Sequence, residues 1–195
     1  EILSPEERAR ADRFHFQRHR ASFVASHGIL RVILGKYLAA SPAELCFRCG
    51  SRGKPELAGE LSPSDLQFNM SHSHQLAVYA FARRRKVGID VEYMRAGLGQ
   101  EQIAERYFTP EEIAVFHMSP VDRRHRAFFS CWTHKEACAK ARGDGLSVAL
   151  TTSDAMLSSA GDLAKWFLGE LDVGPNYAAA VAVEGDACNI RCWQW

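Results

Sequence analysis

Residues 122 to 142 contain neither glycine nor proline, and the run stops at Gly143-Asp144-Gly145, where a helix end calls for a left-handed cap. A helix of that length draws its stability from laying one face on a partner. The rest of the chain supplies partners with a different period. Residues 66–72 and 76–82 carry β-formers (Leu66, Phe68; Leu76, Val78, Tyr79, Phe81), and the basic turn Arg83-Arg84-Arg85-Lys86 leads into Val87 to Val91. That spacing predicts an antiparallel meander. Segments 146–151, 165–172 and 177–184 predict further strands after the long helix. At the other end, Phe14, Phe23, Val24, Ile29, Leu30, Ile33, Leu34 and Leu38 recur at helical spacing, which predicts two helices broken near 15–20. Residues 44–58 read as a short strand running into the glycine-rich turn Gly50-Ser51-Arg52-Gly53-Lys54-Pro55. Gly97-Leu98-Gly99 reads as a linker, and Thr109 caps a helix opened by Pro110-Glu111-Glu112. The order is helices, strands, helices, strands, so the fold class is α+β in two similar halves, 1–96 and 97–195. No sequence repeat is strong enough to prove duplication.

A chain of 195 residues suits one large domain or two small ones, at roughly 100 to 200 residues each. Lys plus Arg (24) nearly cancels Asp plus Glu (23), so the global positive field of a nucleic-acid binder is absent and any anion site is local. No stretch approaches the roughly 20 apolar residues that span a bilayer, and the charged start Glu1 to Arg10 lacks a signal peptide's apolar run. The expected place is the cytoplasm, with no membrane and no nucleic-acid partner, and the six cysteines are expected as reduced thiols. Leu3-Ser4-Pro5-Glu6-Glu7 opens a helix almost at once, so a preceding strand is expected to be missing.

Several clusters carry chemistry, each with a plain alternative. Asp90 and Glu92 are two apart in Val87-Gly88-Ile89-Asp90-Val91-Glu92, which sets both carboxylates on one strand face. Such a pair suits a hard cation such as Mg²⁺, or else lines a solvent-facing strand edge. Trp132, Glu136 and Lys140 follow at helical spacing on one face; Glu before Lys is also the usual surface ion pair. Phe68-Asn69-Met70-Ser71-His72-Ser73 gathers amide, hydroxyl and imidazole groups that suit phosphate oxygens, or make an ordinary turn. The serine lacks a Gly-x-Ser-x-Gly elbow, and Gly53-Lys54 lacks the Walker spacing. Cys46-x-x-Cys49 resembles half a zinc knuckle, but strand spacing turns the two thiols to opposite sides. Cys131 and Cys138 read as core.

Taken in order, Gly53-Lys54-Pro55, Phe68-Asn69-Met70-Ser71-His72, Gly88-Ile89-Asp90-Val91-Glu92 and Trp132-Thr133-His134-Lys135-Glu136-Ala137-x-x-Lys140, ending in Gly143-x-Gly145-Leu146, resemble the surfactin-type 4′-phosphopantetheinyl transferase family over nearly the whole chain. The resemblance implies two α+β halves in a pseudo-twofold arrangement with the active site at their interface. It implies transfer of 4′-phosphopantetheine from coenzyme A to a serine of an apo acyl or peptidyl carrier protein, dependent on Mg²⁺ and releasing adenosine 3′,5′-bisphosphate. By the same resemblance Asp90, Glu92 and Glu136 hold the metal, and Glu136, Lys140 and His72 are catalytic. Asn69, Ser71, His72, Lys135 and Lys140 would contact coenzyme phosphates, while Arg52 and Lys54, with Arg10 and Arg18 from the first helices, would contact the adenine and 3′-phosphate. A monomer is expected. The Cys-x-x-Cys and the absent first strand depart from the family pattern. The competing reading is a coenzyme-A-binding or carrier-binding module without catalysis, which would have no use for three acids beside a pyrophosphate. Which carrier is modified is not written in these residues.

Overall fold

Residues 2–50, 54–61, 64–96, 99–143 and 166–195 are described by the computed structural model. The expected strand at 146–151, Asp144 to Leu146, Arg52 with its glycine neighbour, and Gly97-Leu98 of the linker lie outside them.

The chain divides into two compact units, Glu1–Asp65 and Leu66–Trp195. The first starts with α1 (Pro5–Asp12), closed at its front by a reciprocal capping box in which Ser4 accepts from the Glu7 N–H and Glu7 accepts from the Ser4 N–H. Helix α2 (Gln17–Leu38) follows after the expected break and ends at Ala39 in a left-handed conformation. Strands β1 (Phe47–Cys49) and β2 (Pro55–Leu57) form an antiparallel pair with Phe47 opposite Leu57. Arg31, 1% exposed, ties the unit together: it donates to Glu7 Oε2 at 2.6 Å and to the carbonyls of Pro42 and Leu45.

The second unit contains β3 (Leu66–Ser73), β4 (Leu76–Arg83), β5 (Val87–Tyr93), α3 (Gln100–Tyr107), α4 (Pro110–Met118), α5 (Val121–Arg142), β6 (Trp166–Glu170) and β7 (Tyr177–Glu184). Strands β3 and β4 form the expected hairpin, Ser73 opposite Leu76. The meander stops there. Strand β5 pairs antiparallel with β7, Asp90 opposite Ala180, in a sheet ordered β5-β7-β6. This pairing lies inside the second compact unit, which begins at Leu66. Helix α3 was not read from the sequence; its one buried residue is Ala104, with Ile103 and Tyr107 packed against the same core.

Helix α5 lies on this sheet at short range because the surfaces in contact are small: Ala137 and Ala141 on the helix, Ala180 and Ala182 on β7. Gly88 makes the closest approach. A Cβ there would stand 2.1 Å from the Ala137 carbonyl oxygen and 2.4 Å from the Ala141 nitrogen. Farther toward its N-terminus the same helix buries Phe128 and Phe129 against Phe108 and Phe116, with Trp132 stacked on Phe128. Gly143 closes α5 at φ 78°, as its sequence position predicts. No helix among the described residues is long and apolar enough to cross a membrane.

Candidate active site

Strand β5 is buried on both faces from Val87 to Val91, so the solvent-edge reading of Asp90 does not hold. A carboxylate that loses its water needs partners, and Asp90, 3% exposed, finds them on two elements. Ser71 of β3 donates its hydroxyl to Asp90 Oδ1 at 2.8 Å, and Lys140 of α5 donates to the same oxygen at 2.7 Å and to Ser71 Oγ at 2.9 Å. Lys140 can reach because the alanine seam and Gly88 bring α5 down onto β5. One turn back, Glu136 is 4% exposed on the same helix. The Glu136 and Lys140 pair is therefore no surface salt bridge.

The second acid of β5 repeats the pattern. Ser73 donates to Glu92 Oε2 at 2.8 Å and accepts from the Tyr93 N–H at 3.0 Å, while Asn69 accepts from the Ile89 N–H at 2.9 Å. Three side chains on one face of β3 thus join it to β5. Alternation turns His72 to the other face of β3, where it is exposed.

Charge in this cluster is not balanced. Among the described residues the three carboxylates share Lys140, with Arg95 also acting on Glu92, and burial pushes the Glu136 carboxyl up to about 7, with Asp90 and then Glu92 adding repulsion against the pull of Lys140. Burial also raises Asp90, opposed chiefly by Lys140, and raises Glu92, opposed chiefly by Ser73. Among the described residues, Asp90 Oδ2 and Glu136 Oε1 are buried without a hydrogen-bond partner. Hard, oxygen-only donors with two idle atoms and excess negative charge fit Mg²⁺. They are gathered rather than closed around a point: among the described residues, no three His, Cys, Asp or Glu side chains already stand as a metal-ligand group.

Other expected site residues lie elsewhere. Lys135 is 2% exposed and donates to Glu112 Oε2 at 2.7 Å; Glu112 also closes the Thr109 capping box of α4. One residue of helical rotation separates it from Glu136 and sends it to Glu112 rather than to the acid cluster. Trp132, expected beside Glu136, belongs to the aromatic core. Asn69 is buried and engaged with the β5 backbone rather than open to a ligand. Arg10 and Arg18 are exposed in the first unit, over the rings of Phe23 and Phe16. Lys54, half-buried, also belongs to that unit, and Arg52 is outside the described residues. Cys46 and Cys49 are exposed free thiols. Burial pushes the thiols of Cys131 and Cys138 up to about 12 and about 11, in keeping with core cysteines.

Ser73, Gly88 and Glu112 stand in the quoted motifs, but sequence reasoning gave none of them the part that the structure does. Ser73 had a signal, being two residues past Ser71 as Glu92 is two past Asp90. Gly88 had a weaker one, a glycine inside a strand.

Comparison with known proteins follows the same residues. Residues 86–182 match the family described as "4'-phosphopantetheinyl transferase superfamily", and residues 1–84 match "4'-phosphopantetheinyl transferase, N-terminal". The chain is 42% identical over 200 aligned positions to the 4'-phosphopantetheinyl transferase HetI of Nostoc sp., covering 99% of this chain and 83% of that one. It is 28% identical to a 4'-phosphopantetheinyl transferase of Bacillus subtilis, over 96% of this chain and 85% of the relative. A solved structure, the holo-[acyl-carrier-protein] synthase (AcpS) of Thermotoga maritima, aligns with 52% of this chain and 64% of its own at 26% identity and a TM-score of 0.40.

Proposed function

The chain belongs to the 4′-phosphopantetheinyl transferase family, enzymes that move 4′-phosphopantetheine from coenzyme A to a carrier-protein serine, and on that premise we propose that Asp90, Glu92, Glu136 and Lys140 are the reaction centre. The supporting observation is the unbalanced cluster itself, in which Lys140 bridges Asp90 and Ser71 while Asp90 Oδ2 and Glu136 Oε1 stay unpartnered. A module that only bound coenzyme A would gain from cations and lose from three acids, two of them buried and one half-buried.

In the proposed step the carrier serine oxygen bonds to the β-phosphorus of coenzyme A. The bond from that phosphorus to the bridging oxygen breaks, and adenosine 3′,5′-bisphosphate leaves. Mg²⁺ held by Asp90, Glu92 and Glu136 would supply positive charge to the pyrophosphate. Lys140, with 25% of its side chain exposed, offers an ammonium to the phosphate oxygens on which charge accumulates. Glu136 would take the serine proton; without a metal, burial and then Asp90 and Glu92 push its carboxyl up to about 7. His72 keeps a phosphate-contact role on the outer face of β3, and Arg10, Arg18, Arg52 and Lys54 a role toward the adenine and 3′-phosphate. The surfactin-type subclass, an acyl or peptidyl carrier as partner, the cytoplasm as location, a monomeric state and the two-half organisation at 96/97 belong to the same proposal.

Intact-mass analysis of purified apo carrier proteins with coenzyme A and Mg²⁺ tests it. The wild type adds one phosphopantetheine. Asp90→Ala loses Mg²⁺-dependent transfer while still binding coenzyme A in calorimetry, and Lys140→Ala loses about 10² to 10³ in turnover at saturating Mg²⁺ without a changed metal requirement. Near wild-type turnover in Lys140→Ala, or Mg²⁺-dependent activity in Asp90→Ala, overturns the assignment.

A further inference from the structure

We infer that Ser73 is a positioning residue for this reaction: its hydroxyl, aimed by the backbone of β5, holds the Glu92 carboxylate at the acid cluster. The inference rests on the proposed metal role of Glu92.

A serine hydroxyl has one hydrogen to give and rotates freely unless something fixes it. At Ser73 the Tyr93 N–H donates to Oγ at 3.0 Å, and that donor cannot move because β5 is held in register with β7, Tyr93 opposite Tyr177. The hydroxyl hydrogen is left for Glu92 Oε2, 2.8 Å away. Ser71 repeats the device two residues earlier, taking a donor from Lys140 and giving its hydrogen to Asp90. Two serines at i and i+2 therefore face two acids at i and i+2.

The acids differ in what else restrains them. Asp90 has a short side chain with the Lys140 ammonium on it. Glu92 has one more rotatable bond and, among the described residues, no cation at hydrogen-bond distance; burial of its charge and the nearby Asp90 disfavour the inward position, against a longer-range pull from Lys140 and Arg95. Water lies in reach of this half-buried side chain. The Ser73 hydrogen bond opposes that escape and commits one carboxylate oxygen, leaving Oε1 for a cation. Hydrogen bonds of this kind to ligating carboxylates orient the ligand, and losing one typically weakens metal affinity or activity by about 10- to 100-fold.

The experiment measures Mn²⁺ binding to the whole protein without coenzyme A, by electron paramagnetic resonance, beside the Mg²⁺ dependence of carrier modification. Ser73→Ala weakens Mn²⁺ binding and raises the half-saturating Mg²⁺ by about 10- to 100-fold, and transfer lost at low Mg²⁺ returns as Mg²⁺ is raised. Ser73→Thr keeps the hydroxyl and restores metal affinity. A purely structural serine would instead lower the melting temperature and leave the metal affinity of the folded protein unchanged, which overturns the inference. If Ser73→Ala does not fold, Ser73→Cys, which keeps the size and weakens the donor, is read the same way. A wild type that transfers with Mg²⁺ while folded Ser73 variants bind Mn²⁺ as it does removes this inference alone. A wild type that binds neither metal removes the metal reading and the inference with it.

Discussion

Helices α2 and α5 each run 22 residues, each follows a short helix opened by Ser/Thr-Pro-Glu-Glu, and each ends on a left-handed residue, Ala39 or Gly143. In both, the capping-box glutamate reaches beyond its own turn to a buried cation at the fifteenth position of the long helix: Glu7 to Arg31 and Glu112 to Lys135. The next residue differs. It is Val32, half-buried, on α2, and Glu136 on α5. Four positions on, both helices carry lysine, Lys36 exposed on one and Lys140 bonded to Asp90 on the other. The two regions share a scaffold and differ where an acid replaces an aliphatic beside the fixed cation; under the proposed function the chemistry enters there. This comparison explains Lys135 as part of the scaffold that sets the rotation of α5, so that Glu136 and Lys140 face β5.

The strongest way to break the comparison is to remove the difference. Glu136→Val gives α5 the residue of α2 at that position. Removal of a proton acceptor and metal oxygen together predicts a loss in turnover of about 10³ or more, with the fold retained, because valine fills much of the buried volume and relieves an unpartnered acid. Intact-mass kinetics and a denaturant midpoint measure the two sides. Residual turnover within tenfold of wild type would show that the acid at this position is not what separates the helices.

A smaller effect tests the shared part. Truncating one partner of a buried ion pair leaves the other uncompensated and costs about 3–5 kcal/mol, whereas replacing both is often near neutral. Lys135→Met therefore destabilises by that amount, and Glu112→Gln with Lys135→Met recovers much of it. Arg31→Met costs at least as much, since Arg31 also donates to two carbonyls. Urea midpoints check the series. In the folded Lys135→Met protein the Michaelis constant for coenzyme A stays near wild type; a large rise at unchanged stability would return Lys135 to the coenzyme site.

The repeat behind this comparison was half legible in the sequence. Both Ser/Thr-Pro-Glu-Glu openings were visible, as were the long helix and the strands at 66–72, 76–82 and 177–184, because caps and periodicity are local. The paired cations were not, since Arg31 and Lys135 find their partners 24 and 23 residues away. Asp90, Glu92, Glu136 and Lys140 were named from motif order, and the structure gathers them. Lys135 turns to Glu112 instead, because one step along a helix turns a side chain by about 100°, too little for a motif to convey. The meander failed at β5 for a related reason. An apolar strand buried on both faces declares that it is covered but not by which neighbour, and its partner β7 lies far along the chain.

The mildest test concerns protons, and it sharpens the difference at Val32 and Glu136 without emptying the site. Glu136 has its carboxyl pushed up to about 7 by burial, then by Asp90 and Glu92, from 4.5 as an ordinary carboxylate. Between those values the metal-free native state keeps a proton that the unfolded chain has released. Stability contributed by this group therefore falls as pH rises through the window, by up to about 1.4 kcal/mol per pH unit for one proton, and levels off above it. Asp90 and Glu92 are raised as well and push in the same direction. Glu136→Gln keeps the shape and cannot ionise. In chelator-treated protein its stability relative to wild type should grow from pH 5 to pH 7 and then level off, while Mg²⁺ should reduce the difference by neutralising the cluster. Parallel stability curves for the two proteins would mean that Glu136 titrates as an exposed acid does, and the contrast with Val32 would be one of shape rather than charge.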